Sequence, residues 1–346
     1  MPDTLIPMST RFRNWPNPRG RLTLSAAISG ATALTFVVSL TGPARADGTQ
    51  YPVGSTALID VSVATLWRAP GIHRRSDRPS LKNPVDLVRW NRSMRSAADR
   101  RWLVGNVQTQ ALYAQRAIVR DRKGKWVKVA LPEEPDSQDP LGYPGWLPRR
   151  QLRPPGDVPV IRDTSDYVVV LAKRASVRVA KGPVRVSYGT RLAVPEPTDD
   201  DTGPDWVRVV TPDGPGSIRA EDVGPPLTPT AQSILDQGRR FLGLRYTWGG
   251  LSAWGFDCSG LIWNLFRAHG MTIPRDADPQ FRSGQPVSRK NLEPADLIFW
   301  GNQNYVHHVA LYVGNGKMME APDSAGHVRI VPVRWGEYAG ARRYLP

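Results

Sequence analysis

One cysteine, Cys258, stands in 346 residues. Glycine-rich chain from Tyr246 to Gly255 leads into it, and Leu261, Ile262, Leu265 and Phe266 follow at amphipathic helical spacing, with Gly270 as a stop. That pattern puts a thiol at a helix start, where unpaired N–H groups and the positive end of the macrodipole favour a thiolate. Such a group either attacks carbonyl carbon or is buried as a small inert hydrophobe. A nucleophile needs a base and a group that orients the base. Strand alternation through 306–313 places His308, Ala310 and Tyr312 on one face, and His307, Val309, Leu311 and Val313 on the other. After a hairpin turn at Gly314-Asn-Gly-Lys, Glu320 returns on the paired strand, opposite His308. A carboxylate there would fix the imidazole tautomer and stabilise the imidazolium. Taken singly, Glu320 fits a solvated strand carboxylate and His308 a structural histidine; with Cys258 they make a candidate triad. His307 reads as the non-catalytic neighbour, and His269 as a residue closing the cysteine helix at its C-terminus. One cysteine without paired-histidine spacing gives no metal-ligand set, so no metal or cofactor is expected.

The elements around these residues fall into blocks. Residues 1–46 hold arginines at 11, 13, 19 and 21, a mildly apolar run over 22–40, and Ala44-Arg45-Ala46, the order of a secretory signal cleaved after Ala46. The alternative is an uncleaved anchor, although a run so rich in Ser, Thr, Gly and Ala makes a weak span. Export, to the medium, the wall or the periplasm, changes what one cysteine means. A lone thiol cannot pair internally in an oxidising compartment, which moves Cys258 toward function. The formal charge is +15; without the five arginines and one aspartate of the leader, about +11 remains. Such a balance fits anionic wall polymers or lipid head groups. Nucleic acid is disfavoured, because the arginine pairs at 74–75, 149–150 and 342–343 are scattered and no nucleic-acid motif accompanies them.

Two all-β blocks follow, 47–155 and 156–224, each built of short strands broken by turns. The first carries a partly helical insertion over 79–101 and a proline- and acid-rich stretch over 132–148 that fixes Tyr143 and Trp146. In the second, the loop from Thr198 joins the last two strands. One larger β domain is the alternative reading. A proline linker, 225–229, precedes an α+β domain over 230–346, whose first helix is N-capped by Thr230 and runs to about Leu242. The expected fold class is therefore multidomain: two small β-barrels, then an α+β domain.

Over nearly all of 230–346 the sequence resembles the NlpC/p60 family of cell-wall cysteine peptidases. The resemblance rests on Tyr246-x-Trp-Gly-Gly, Gly255-Phe-Asp-Cys-Ser-Gly-Leu, Ile273-Pro-Arg, Gln280, Leu292-x-Pro-x-Asp-Leu-Ile-Phe, His308-Val-x-Leu-Tyr-Val-Gly-x-Gly and Ala321-Pro. It implies a papain-like fold, Cys258 as nucleophile and His308 as base. The third polar position, often histidine in relatives, falls on Glu320. Each β block resembles a bacterial SH3-like domain. The whole arrangement resembles a narrower group that cleaves murein stem peptides between D-γ-glutamate and the diamino acid, preferring stems with a free N-terminal L-alanine. For that group, Tyr143, Tyr246, Asp257 and Ser259 match positions associated with the L-alanine. A Tyr-Gly-Glu element reads Tyr113-Ala114-Gln115 here. The loss of a carboxylate at Gln115 is expected to weaken selection for a free amine, and Gln115→Glu to sharpen it. Peptidoglycan stem peptides are the implied substrate. An amidase cutting the muramyl–L-alanine bond and an inactive wall-binding protein are the rival readings.

Overall fold

Short runs of alternating or continuously apolar residues pair into strands along the first two thirds of the chain. In the first region these are β1 (Thr56–Ile59), β2 (Val63–Trp67), β3 (Val107–Leu112), β4 (Arg116–Lys123), β5 (Trp126–Leu131), β6 (Tyr143–Pro148) and β7 (Leu152–Arg153). In the second they are β8 (Tyr167–Val170), β9 (Arg174–Val179), β10 (Val184–Ser187), β11 (Arg191–Ala193), β12 (Trp206–Thr211), β13 (Gly214–Arg219) and β14 (Val223–Gly224). The strand orders are β3-β2-β6-β5-β4-β1-β7 and β10-β9-β13-β12-β11-β8-β14, so the second region repeats the first strand for strand. This computed structural model describes residues 50–195 and 203–346; the expected secretory signal, 1–46, and most of the Thr198 loop lie outside the described residues.

The insertion between β2 and β3 folds as a 3-10 helix (Arg75–Leu81) and two short α-helices, α1 (Leu87–Ser93) and α2 (Ala97–Arg101). Ser96 caps α2 in a capping box with Asp99, and the Arg74 guanidinium lies 4.2 Å from the Trp102 ring just beyond it. These contacts fix the backbone of a segment that has little core of its own.

The C-terminal part begins with α3 (Ala231–Arg239), capped by Thr230 and ending three residues short of Leu242. After the hairpin β15 (Leu251–Ser252) and β16 (Gly255–Phe256) comes α4 (Cys258–Ala268), then α5 (Ala277–Ser283). Six strands complete it: β17 (Gln285–Val287), β18 (Leu297–Gly301), β19 (Val306–Gly314), β20 (Lys317–Glu320), β21 (Arg329–Pro332) and β22 (Tyr338–Arg343). They lie in the order β17-β22-β18-β19-β20-β21.

The spacing after Cys258 predicts an amphipathic helix, yet every residue of α4 is buried. The reason is that the helix is covered on more than one side. It packs against β19, and its Asn264 and Arg267 donate to the carbonyls of Tyr188 and Gly189 in the second β region. One apolar core accordingly runs through all three parts, from Trp67 and Trp90 through Tyr188 to Phe256, Trp263 and Phe266. The β regions are thereby fixed against the helix that carries the thiol. Among the described residues no helix is long and apolar enough to cross a membrane.

Candidate active site

Cys258 is the first residue of α4, and the chain on either side is held tightly. Asp257 is the N-cap, its Oδ1 accepting the Gly260 N–H at 2.6 Å, a contact worth about 1 kcal/mol to the helix. Position 260 must be glycine, because a Cβ there would lie 2.1 Å from the Gly250 carbonyl oxygen. The loop before the helix rests on the first β region. Trp248 Nε1 donates to Val107 O at 3.0 Å, and Gln110 Oε1 accepts from Leu251 N and Ser252 Oγ. Cys258 as a residue is 9% exposed, so it is buried yet reaches the surface of a cleft. It borders a cleft of ≈ 980 Å³ together with Tyr246, Trp248, Trp300 and His308.

His308 reaches the thiol from β19, opposite Trp300 of β18, whose ring centroid is 5.4 Å from the imidazole. His308 is buried and His307 exposed, as alternation along a strand requires. His308 Nε2 bonds Glu320 Oε2 at 2.8 Å, which leaves Nδ1 as the ring nitrogen available to the thiol on the same cleft. Register places Leu311 beside Met319, so Glu320 reaches His308 diagonally rather than from directly opposite. Burial pulls the His308 pKa down, but the Cys258 and Glu320 hydrogen bonds and charges outweigh it and hold it at about 9. Glu320 has two more partners. Arg334 donates to both of its oxygens at 2.7 and 2.8 Å, and Arg329 donates Nε and Nη2 to Oε1 at 3.0 and 2.8 Å. Burial would raise this carboxyl, yet Arg334, His308 and Arg329 together hold it well below the usual carboxylate range.

On the other flank of Cys258 lies a second cluster, built round Arg275, which is fully buried. Its guanidinium donates to Asp257 Oδ1 and Oδ2 at 3.1 and 2.8 Å, to Ser259 Oγ at 2.9 Å, and through Nε to Thr109 Oγ1 at 2.9 Å. Thr109 donates to Glu134 Oε2 at 2.7 Å, and Glu134 Oε2 is 3.9 Å from Arg275 Nε. Desolvation, only partly offset by Arg275, Thr109 and Gln115, pushes the Glu134 carboxyl up to about 7. Asp276 accepts the Tyr143 hydroxyl at 2.7 Å, and its side chain stays 40% exposed, far more than any other acid of the cluster.

Three expectations need correcting. Gln115 already has partners at both ends of its amide. It is buried, its Nε2 donates to Glu134 Oε1 at 3.0 Å, and its Oε1 accepts the Leu112 N–H at 2.9 Å, closing the turn through Ala114 (φ 65°). A glutamate there would press a second carboxylate against buried Glu134, so Gln115→Glu is expected to destabilise rather than sharpen selection. Asp257 and Ser259 flank the thiol, but the helix cap and Arg275 already occupy the Asp257 carboxylate. The most exposed acid of this flank is Asp276, half-buried and pushed up to about 6 by desolvation that Arg275 and Tyr143 only partly offset; sequence reasoning passed it over, along with Arg275, Glu134, Arg329 and Arg334. The one signal was the arginine of Ile273-Pro-Arg, too common a residue type to be singled out without its buried carboxylate partners. Tyr143 and Tyr246 are both buried, Tyr143 against Asp276 and Tyr246 on the cleft beside Cys258. His269 caps α4, its Nδ1 paired with Leu265 O and its Nε2 with Ser233 Oγ.

The family model described as the NlpC/P60 family matches residues 243–342. A gamma-D-glutamyl-L-lysine dipeptidyl-peptidase of Bacillus cereus is 39% identical over 84% of this chain and 92% of its own length. The chain belongs to the NlpC/P60 family. A Bacillus subtilis protein of the same name is 33% identical over 78% of this chain and 91% of its own. The crystal structure of a Bacillus cereus NlpC/P60 family protein superposes with a TM-score of 0.75, at 39% identity over 84% of this chain and all of that one. Likeness to both NlpC/P60 relatives thus extends well beyond 243–342 and takes in β-rich chain ahead of it. The protein is a peptidase of this family.

Proposed function

We propose that this NlpC/P60 peptidase hydrolyses peptidoglycan stem peptides at the bond between D-γ-glutamate and the diamino acid, releasing an N-terminal dipeptide. The observation that carries the reading is His308, bonded to the Glu320 carboxylate and bordering one cleft with Cys258, in a chain alike over 84% of its length to a relative named for that activity. In the reaction the Cys258 thiolate attacks the γ-carbonyl carbon. The C–N bond then breaks, His308 giving its proton to the leaving amine. Water attacks the resulting thioester while His308 takes a proton from it, and the glutamyl carboxylate and the thiol are regenerated. Glu320 keeps Nε2 protonated, so that Nδ1 does the transfer. The oxyanion is received by the Cys258 N–H, which at the first helical position has no intrahelical partner, and by Tyr246 beside it.

The preference for a free amine rests on Asp276, oriented by Tyr143. A solvent-reachable carboxylate suits the ammonium of an N-terminal L-alanine, whereas Asp257 and Ser259 support the pocket through Arg275. The two β regions are read as SH3-like domains, the C-terminal part as papain-like, and the chain as an exported, wall-facing enzyme whose remaining positive charge favours anionic polymers.

The test compares L-Ala-γ-D-Glu-L-Lys and its N-acetylated form by mass spectrometry. A product of L-Ala-γ-D-Glu, formed at least about tenfold faster than the acetylated dipeptide, is expected. Cleavage at another bond would overturn the assignment; equal rates would overturn the role of Asp276. With His308 held at about 9, kcat/KM should fall as pH rises through that value and the imidazolium is lost. The linkage has the same sign: His308 stabilises the fold fully below its ordinary 6.5 and loses that contribution by about 9.

A further inference from the structure

The cleft beside Cys258 has walls from two distant parts of the chain. One is the Asp323–Ala325 loop with Arg329, Arg334 and Glu337. The other is Arg101 with Val104, at the end of the first β region's insertion. Tyr143, Asp257, Ser259 and Asp276 are not among the described residues that border it. With the amino end of a stem at Asp276, the cleft is therefore where the departing residue lies.

The three arginines of this cleft differ in what they have left to offer. Arg329 and Arg334 are engaged by Glu320, Arg334 through both terminal nitrogens. Arg101 is exposed, and its guanidinium makes no ion pair among the described residues. Its backbone is nonetheless held. The Arg101 carbonyl accepts the Val104 N–H, the neighbouring Arg100 is buried and donates to Met94 O at 2.5 Å, and Arg74 donates to the Asp99 carbonyl at 2.7 Å. A fixed backbone carrying an uncommitted guanidinium over a reaction cleft is suited to a planar anion. Across the cleft, Asp323 and Glu337 also line the wall, Asp323 with Oδ1 accepting the Ala325 N–H at 2.7 Å. The departing diamino acid carries both charges.

We propose that Arg101 is a specificity residue that receives a carboxylate of the departing diamino acid, with Asp323 and Glu337 facing its side-chain ammonium. The inference rests on the reading of the site given above. Two carboxylates fit this chemistry: the α-carboxylate of a stem that ends at its third residue, and the side-chain carboxylate of diaminopimelate. The first would make the enzyme prefer tripeptides to longer stems; the second would make it prefer diaminopimelate to lysine.

The experiment measures kcat/KM for L-Ala-γ-D-Glu-L-Lys, its α-carboxamide, the diaminopimelate tripeptide, and that tripeptide amidated on the side-chain carboxyl. Each is run with wild type, Arg101→Met and Arg101→Lys. In the wild type at least one acid should be preferred to its amide by about tenfold, as a charge-assisted contact at a partly open site gives. That preference should collapse toward unity in Arg101→Met and survive in part in Arg101→Lys. The amidation that removes it identifies which carboxylate is bound. Because each result is a ratio within one protein, a loss of folded enzyme cancels. No acid–amide preference in the wild type, or an unchanged preference in Arg101→Met, overturns the proposal while release of L-Ala-γ-D-Glu leaves the functional reading standing. If no peptide yields L-Ala-γ-D-Glu, that reading fails and this one with it.

Discussion

Between β2 and β3 the first β region inserts residues 68–106, whereas the second joins the equivalent β9 and β10 with residues 180–183. Between β5 and β6 the first inserts 132–142, where the second joins β12 to β13 with residues 212–213. The strand orders correspond, and one connection is longer in the second region: 194–205 between β11 and β12, against 124–125 between β4 and β5. The two long insertions are the segments that bring Arg101 to the cleft and Glu134 to the Arg275 cluster, and the second of them leads directly into Tyr143. The second region instead lies behind α4, where Tyr188 and Gly189 accept from Asn264 and Arg267. One topology used twice thus does two jobs. A rigid sheet fixes where its loops emerge, and loop length decides whether they reach the chemistry.

If that division is right, removing the tie to the first region should cost far more than removing a tie to the second. Arg275→Met leaves Asp257 and Glu134 buried without their cation and should lose roughly 3–5 kcal/mol in urea unfolding. Arg191→Met, which removes a 2.9 Å bond from the second region to the Arg267 carbonyl, should lose about 1–2 kcal/mol. Equal losses would break the comparison.

Glu134 sharpens it through pH. Its pKa is about 7 in the fold against an ordinary 4.5, so between those values the folded chain holds a proton that the unfolded chain has released. The contribution of Glu134 to stability is then greatest below 4.5 and declines as pH rises to about 7, by a shift of order 3 kcal/mol. Glu134→Gln should flatten that slope, and the gap in Tm between variant and wild type should widen in the variant's favour from pH 4.5 to 7. An unchanged slope would show that Glu134 is ionised throughout.

The smallest effects come from a pair of tyrosines, one from each region. Tyr143→Phe removes the hydroxyl that orients Asp276 and should raise KM for free-amine stems about tenfold, with little change in kcat. Tyr188 is buried, and its hydroxyl has no hydrogen-bond partner among the described residues, so Tyr188→Phe should leave both constants alone and shift stability by no more than about 0.5 kcal/mol. A kinetic effect at Tyr188 would give the second region a part in catalysis.

What the sequence makes legible is local. The period of 3.6 after Cys258, the Thr230 and Asp257 caps, and the period of 2 that separates His307 from His308 all depend on residues within a turn or two. What it hides is carried by pairs far apart in the chain. Arg275 meets Thr109 across 166 residues, and Tyr143 meets Asp276 across 133. No local pattern distinguishes Glu134, in a proline- and acid-rich stretch that reads as solvated, from a surface carboxylate; only Arg275 closing over it makes it a buried one. The bond from Gln115 to Glu134 is hidden for the same reason, since Glu134 is invisible from the turn that Gln115 closes. The all-round burial of α4 likewise requires the second β region, which no helical wheel contains.

The central claim is that Cys258 performs the cleavage. Mass spectrometry of L-Ala-γ-D-Glu-L-Lys after incubation with wild type and with Cys258→Ala tests it most directly. The account predicts L-Ala-γ-D-Glu and free lysine from the wild type, and at least about a thousandfold less of either from a folded Cys258→Ala protein. Release of the dipeptide by that variant at a rate near that of the wild type would contradict it.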